Sequence, residues 1–220
     1  MNNITEKPNS NSKQLDLLSV EKILYLINNE DITVAHQITP LIPKLTLVIN
    51  KIIEKLENDG RLFYVGCGTS GRLGVLDAAE CPPTFSVDSK KVQGIIAGGN
   101  KALVKSVENA EDSFSTGELS VVDKKISNND IVIGISASGT ADFVHGALNK
   151  SFLLGAYTVL ICCNKIKKVK YIKNILPIIV GPEIIAGSTR MKAGTATKLV
   201  LNMISTTSMI QMNKVYNNLM

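Results

Sequence analysis

Tryptophan is absent from this chain, and phenylalanine and tyrosine together make up only 5% of its 220 residues. Any core must therefore be aliphatic, and nucleic-acid binding by stacked aromatic rings has little to draw on. Histidine occurs twice, and the four cysteines (Cys67, Cys81, Cys162 and Cys163) fall at no metal-ligand spacing. This argues against a zinc centre and against a cysteine–histidine nucleophile, and neither a metal nor a cofactor is expected. No apolar run is long enough to cross a bilayer; the longest, residues 152–163, is short and interrupted by Gly155. The opening stretch MNNITEKPNSNSKQ is polar and has no apolar secretory core. A cytoplasmic protein with no membrane partner is the expectation. Nor is there a strong excess of charge: 24 basic against 19 acidic residues leave +5, dispersed along the chain. No nucleic-acid partner follows from that balance, although a small anion is compatible with it.

What the chain does have is 45% hydrophobic residues and a regular alternation of short apolar runs with helix-like segments. Residues 1–18 read as a polar arm. Ser19 is placed to cap a helix reaching about residue 28, and Pro40 and Pro43 break the segment after it. Residues 46–58 read as an amphipathic helix stopped by Gly60. Strands are expected at 62–65, 92–97, 131–135, 157–162 and 176–180. Helices are expected at 71–79, 101–111, 140–152 and about 192–212. The strand candidates do not alternate apolar with polar, which implies burial on both faces. A mostly parallel five-stranded sheet in a three-layer α/β/α sandwich follows. The division expected is an arm and helical segment over 1–45 and one α/β domain over 46–220.

The most informative stretch is LFYVGCGTSGRLGVLDAAECPP, residues 62–83. A strand-like run enters a Gly/Ser/Thr loop, and a helix-like run leads to Glu80 beside Pro82 and Pro83. Gly68, Thr69 and Ser70 offer backbone amides and hydroxyls at a helix start, which is a seat for an anion. Gly66, Gly68 and Gly71 also satisfy G-x-G-x-x-G. The second strand candidate, however, ends in Ala97-Gly98-Gly99-Asn100 without the ribose-binding acid of a dinucleotide site. A second hydroxyl-rich loop, Ser136-Ala137-Ser138-Gly139-Thr140, follows the third strand candidate. Adjacent strands would bring it beside Thr69 and Ser70. Two such clusters suit one phosphate monoester, held without a metal or a lysine clamp. Capping of the next helix is the competing reading for Ser136 and Thr140.

This pairing resembles the sugar isomerase (SIS) domain, which binds phosphosugars. Longer stretches narrow the resemblance. GCGTSGRLGVLDAAECPPTF (66–85), GIIAGGNKALVKSVENAEDS (94–113) and GPEIIAGSTRMKAGTATKLVLNMIST (181–206) are similar to the N-acetylmuramic acid 6-phosphate etherases, as are LINNEDITV (26–34) and the closing KVYNNLM. The GSTRMKAGT run is shared mainly by these etherases and the glucokinase regulatory proteins.

The resemblance implies a carbon–oxygen lyase that removes D-lactate from the sugar by elimination and then hydration. It implies Glu80 as catalytic acid and Glu111 as the second catalytic glutamate, the base. Asp112 reads as a supporting or capping residue. Arg190 and Lys192 are open between attracting substrate and holding the turn before the last helix, and Glu183 is undecided. His36 and His145 read as packing or surface residues. The family's homodimer is expected too. Two departures stand out: Thr140-Ala141-Asp142 replaces the family's Arg-Thr-Pro, and a helical C-terminal part of some eighty residues is missing. A non-catalytic phosphosugar-binding regulator is the alternative reading, and an aldose–ketose isomerase the third.

Overall fold

The computed structural model describes residues 3–220; residues 1 and 2 of the expected arm lie outside the described residues. Helix α1 (Val20–Ile38) begins at the Ser19 cap, whose hydroxyl accepts the Lys22 amide. It runs ten residues further than the sequence suggests. A single 3-10 turn, Thr39–Leu41, then leads into α2 (Ile42–Glu57). Pro43 does not break this helix, because it sits in the first turn, where no amide hydrogen is needed. By length and composition alone the α1–α2 tract could cross a membrane. Its most apolar face, Leu45, Val48, Ile49, Ile52 and Leu56 of α2, is instead buried in the core.

The sheet has five parallel strands in the order β2-β1-β3-β4-β5. These are β1 (Leu62–Gly66), β2 (Val92–Ile96), β3 (Ile131–Ile135), β4 (Tyr157–Cys162) and β5 (Asn174–Pro177). Only β5 departs from the expected position. It starts earlier and stops at Pro177, whose nitrogen carries no hydrogen for the ladder. Leu62 and Tyr64 of β1 face one layer, formed with α2, α3 (Gly68–Phe85) and α7 (Lys192–Gln211). Phe63 and Val65 face the other, formed with α5 (Phe114–Asp123) and α6 (Asp142–Leu153). Burial on both faces explains the unbroken apolar runs.

Two helices beyond the sheet's first strand also differ from expectation. The one over 101–111 is only a single turn, α4 (Lys101–Val104). Ser106, Asn109 and Ser113 follow, residue types whose side chains compete for backbone groups. Asn109 adopts a left-handed conformation, φ +57°, and Ser113 caps α5, a helix the sequence reading did not contain. Helix α3 in turn does not stop at the prolines. It continues through Pro82 and Pro83 to Phe85, a buried side chain that pins its last turn.

A buried polar cluster joins β1, α3 and α7. The Ser205 hydroxyl donates to Asp77 Oδ1 at 2.9 Å. Asp77 Oδ2 and the Tyr64 and Ser208 hydroxyls are buried with no partner among the described residues. Burial pushes the Asp77 carboxyl up to about 6, against the lowering effect of Tyr64, Ser205 and Lys198. A carboxyl raised in the fold stabilises below its ordinary value of 3.8. That contribution, about 2–3 kcal/mol for such a shift, is lost as pH rises through 6. Asp77→Asn keeps the acceptor for Ser205 and carries no charge. It is expected to exceed the parent in stability by about 2 kcal/mol at pH 8, the gap closing toward pH 4. Parallel chemical denaturation at both pH values tests this; an unchanged gap would assign the cluster no titrating role.

Candidate active site

Strand register builds the site. Gly66, the last residue of β1, pairs with Ile96 at the end of β2 and with Ile135 at the end of β3. The loops after β1 and β3 therefore leave the sheet side by side. They do so at the point where the strand order reverses, the usual place for a ligand in an open parallel sheet. Gly66 and Gly71 permit the tight first turn. A Cβ on Gly66 would lie 2.7 Å from the Gly71 nitrogen, and one on Gly71 would lie 2.6 Å from Ile96. These glycines of the G-x-G-x-x-G run thus serve strand–helix packing.

Cys67, at the N-cap of α3, caps no amide with its side chain. The first-turn amides of Gly68, Thr69 and Ser70 thus face the loop mouth without helical partners. With the helix dipole behind them they have the chemistry to seat an anion. In the loop after β3, the Ser136 hydroxyl accepts the amides of Gly139 and Ala141 at 3.1 and 3.5 Å. The Ser138 hydroxyl lies 3.3 Å from that of Ser136 and accepts from the Thr140 hydroxyl and amide. Gly139 holds φ +79°, and a Cβ there would meet Ile166 at 2.7 Å.

Thr69, Ser70, Ser136 and Ser138 line one cavity of about 270 Å³ together with Gly68 and Glu111. Gly139 and Thr140 do not line it; they shape the loop from behind. His145 supports that loop, one ring nitrogen 2.8 Å from the Gly139 carbonyl and the other 2.9 Å from the Tyr171 hydroxyl. Nothing in the sequence singled out His145 for this part.

Glu111 arrives by way of the irregular loop before α5, where its backbone carbonyl accepts the Phe143 amide at 2.9 Å. Cys67, Gly68 and Glu111 also border an adjoining cavity of about 400 Å³ that holds Arg72 and Asp112. The Arg72 guanidinium donates to the Leu103 and Lys105 carbonyls and so steadies the loop carrying Glu111. Burial, and then the charges of Glu111 and Asp112, push the Cys67 thiol up to about 12. Burial likewise raises Cys81 to about 12, Cys162 to about 11 and Cys163 to about 12. All four thiols are protonated at neutral pH and poor nucleophiles. Among the described residues no cluster of His, Cys, Asp or Glu could hold a metal ion.

Glu80 is elsewhere. It lies twelve residues beyond Gly68 on α3, about 18 Å along the helix axis at 1.5 Å per residue. It is exposed and lines neither cavity. Within one chain, the two glutamates expected to share the chemistry do not meet.

The last motif is structural. Glu183 is fully buried, and its two carboxylate oxygens accept the Lys192 and Ala193 amides at the start of α7. Lys192 is buried and paired to Glu30 of α1 at 2.5 Å. Burial raises the Glu30 carboxyl, but the bonds from Lys192, Asn11 and Asn9 outweigh it and hold the group below its usual range. Lys192 is therefore a strut between α1 and α7, while Arg190 is exposed and reaches neither cavity. Gly187 and Thr189 of the same run border the hydroxyl-lined cavity.

Comparison with known proteins places this chain in a family. Residues 44–152 match the model of the glucokinase regulatory protein N-terminal SIS domain. The chain is 46% identical over 218 residues to the N-acetylmuramic acid 6-phosphate etherase of Klebsiella aerogenes, covering 99% of this chain and 73% of that protein. It is 50% identical over 217 residues to N-acetylmuramic acid 6-phosphate etherase 2 of Enterococcus faecalis, covering 98% and 73%. The chain belongs to the N-acetylmuramic acid 6-phosphate etherase family. Its fold is also that of the phosphoheptose isomerase from Neisseria gonorrhoeae, with a TM-score of 0.61 at 14% identity, over 86% of this chain and 98% of that one.

Proposed function

We propose that this chain is a carbon–oxygen lyase acting on N-acetylmuramic acid 6-phosphate, releasing D-lactate and N-acetylglucosamine 6-phosphate in the cytoplasm. The observation that carries this reading is one cavity lined both by two hydroxyl-bearing loops and by Glu111. The phosphate dianion sits on the first-turn amides of α3 and the hydroxyls of Thr69, Ser70, Ser136 and Ser138. Glu111 then faces carbons 2 and 3 of the open-chain sugar, toward the end away from the phosphate, and the adjoining cavity gives the lactyl group room.

The reaction follows from the open-chain sugar, whose aldehyde acidifies the proton on carbon 2. Glu111 takes that proton as the base. The carbon 3–oxygen bond breaks, with Glu80 giving a proton to the departing lactate oxygen. Water adds to the resulting unsaturated aldehyde at carbon 3. The overall change is one water consumed and one lactate released, with no electron transfer. Since Glu80 cannot reach Glu111 in its own chain, the lyase is a homodimer in which the partner's Glu80 completes each site. Leu76, 47% exposed, lies one turn before Glu80 on the same face of α3 and gives a partner an apolar foothold.

The test is release of D-lactate from N-acetylmuramic acid 6-phosphate by the purified chain. Release supports the lyase. No release, with N-acetylglucosamine 6-phosphate still raising the melting temperature, favours the second reading, a phosphosugar-binding regulator. The match to the glucokinase regulatory SIS domain and the remote Glu80 are the observations on that side.

A further inference from the structure

The hydroxyl-lined cavity has a second carboxylate besides Glu111, and it comes from the N-terminal arm. Glu6 lines the cavity opposite the loops after β1 and β3. Its reach into the site depends on Gly187: Glu6 Oε2 stands 2.9 Å from where a Cβ on that residue would be. Among the described residues the Glu6 carboxylate makes no hydrogen bond and no ion pair, so its structural duty there is slight.

The backbone beneath Glu6, in contrast, is firmly held. Thr5 is fully buried and its carbonyl accepts the Gly187 amide at 3.0 Å. Asn164, two residues past the end of β4, is 2% exposed and uses its whole side chain on this junction. It accepts the Ile4 amide at 2.5 Å and donates to the Thr5 hydroxyl at 3.1 Å and the Ala137 carbonyl at 3.0 Å. Ala137 lies between Ser136 and Ser138, so the arm and the hydroxyl loop are tied to the same amide. Asn9 adds a bond to the Pro182 carbonyl at 3.3 Å. The arm is therefore built into the site.

A carboxylate is an unsuitable neighbour for phosphate alone. Neither Lys nor Arg lines this cavity to offset Glu6 and Glu111. An inorganic anion meets two like charges there, and only the α3 amides and the hydroxyls favour it. A phosphosugar brings its own donors, and a hydroxyl that donates to a carboxylate makes the stronger, charge-assisted kind of hydrogen bond.

We propose that Glu6 is a substrate-binding residue that accepts a hydrogen bond from a sugar hydroxyl and thereby selects phosphosugars over inorganic phosphate. The inference rests on the phosphosugar reading given above and does not depend on the lyase step.

The experiment compares the parent chain, Glu6→Gln and Glu6→Ala. It measures dissociation constants for N-acetylglucosamine 6-phosphate and inorganic phosphate, melting temperatures, and kcat and KM for lactate release. Loss of a hydrogen bond to a charged group is expected to weaken the phosphosugar by about 10-fold or more in Glu6→Ala. Inorganic phosphate should bind as well as before or more tightly, because a like charge has gone. KM should rise more than kcat falls, and the melting temperature should hold. Equal loss for both ligands would reveal a merely structural arm and overturn the proposal, as would changes below twofold. A parent that binds the phosphosugar without releasing lactate fails as a lyase, yet the selectivity ratio still decides Glu6. A parent that binds neither ligand defeats the phosphosugar reading and this proposal with it.

Discussion

Glu111→Gln is expected to lower lactate release by about 10²–10⁴-fold while leaving the fold and ligand binding nearly intact. The magnitude is that of a lost general base. The amide cannot take up the carbon 2 proton, but the phosphate seat of α3 amides and loop hydroxyls is untouched. Structure gives the reason for expecting so clean a separation. The contact that fixes this loop against α6 is made by the Glu111 backbone carbonyl, which the substitution preserves. The side chain itself is exposed toward the cavity. Steady-state lactate release over a range of substrate concentrations, measured beside the melting temperature, separates the outcomes. A loss confined to KM would make Glu111 a binding residue. A loss below tenfold in kcat would move the base elsewhere in the cavity.

Much of the scaffold around Glu111 was legible in the residues. The strands are short and apolar on both faces, so the places of the first four and their parallel pairing could be read directly. The hydroxyl loops were legible as well, because Gly, Ser and Thr after an apolar run constrain what the backbone can do. The register of β1 against β2 and β3 then brought the first and third loops together as expected. What escaped was whatever depends on long-range contact. The segment 101–111 has helical composition, yet its helix ends at Val104 and Asn109 takes a left-handed turn, which leaves Glu111 on an irregular loop that borders the cavity. The arm around Glu6 is polar and aperiodic, like a solvated tail. Its burial comes from Asn164, some 160 residues away. Lys192 and Glu183 sit in a motif that resemblance alone leaves open; only the ion pair to Glu30 and the two capped amides assign them to the frame.

Glu80 is where motif and geometry part, and subunit mixing is expected to reunite them. If each site takes Glu80 from the partner, co-expressed Glu80→Gln and Glu111→Gln chains, isolated as the heterodimer with two tags, regain one intact site per dimer. Each singly substituted homodimer should be nearly inactive, and the heterodimer should show about half the activity of the unaltered dimer, as two-fold symmetry requires. The reciprocal pairing removes ambiguity. One unaltered chain combined with a chain carrying both substitutions has no complete site when Glu80 acts across the interface, and should be inactive. Were Glu80 to act within its own chain, the pattern would invert: the first heterodimer dead, the second half-active. The physical argument favours the crossed pattern. About 18 Å of helix separates Glu80 from the first-turn amides of α3, and α3 is held along that length by α7 and the sheet. Bending it enough to bring Glu80 home would tear Ala78, Cys81 and Phe85 out of the core. A second copy docking on the exposed face of α3 would deliver the same carboxylate with no such disruption, and that crossed assembly is what the mixing experiment tests.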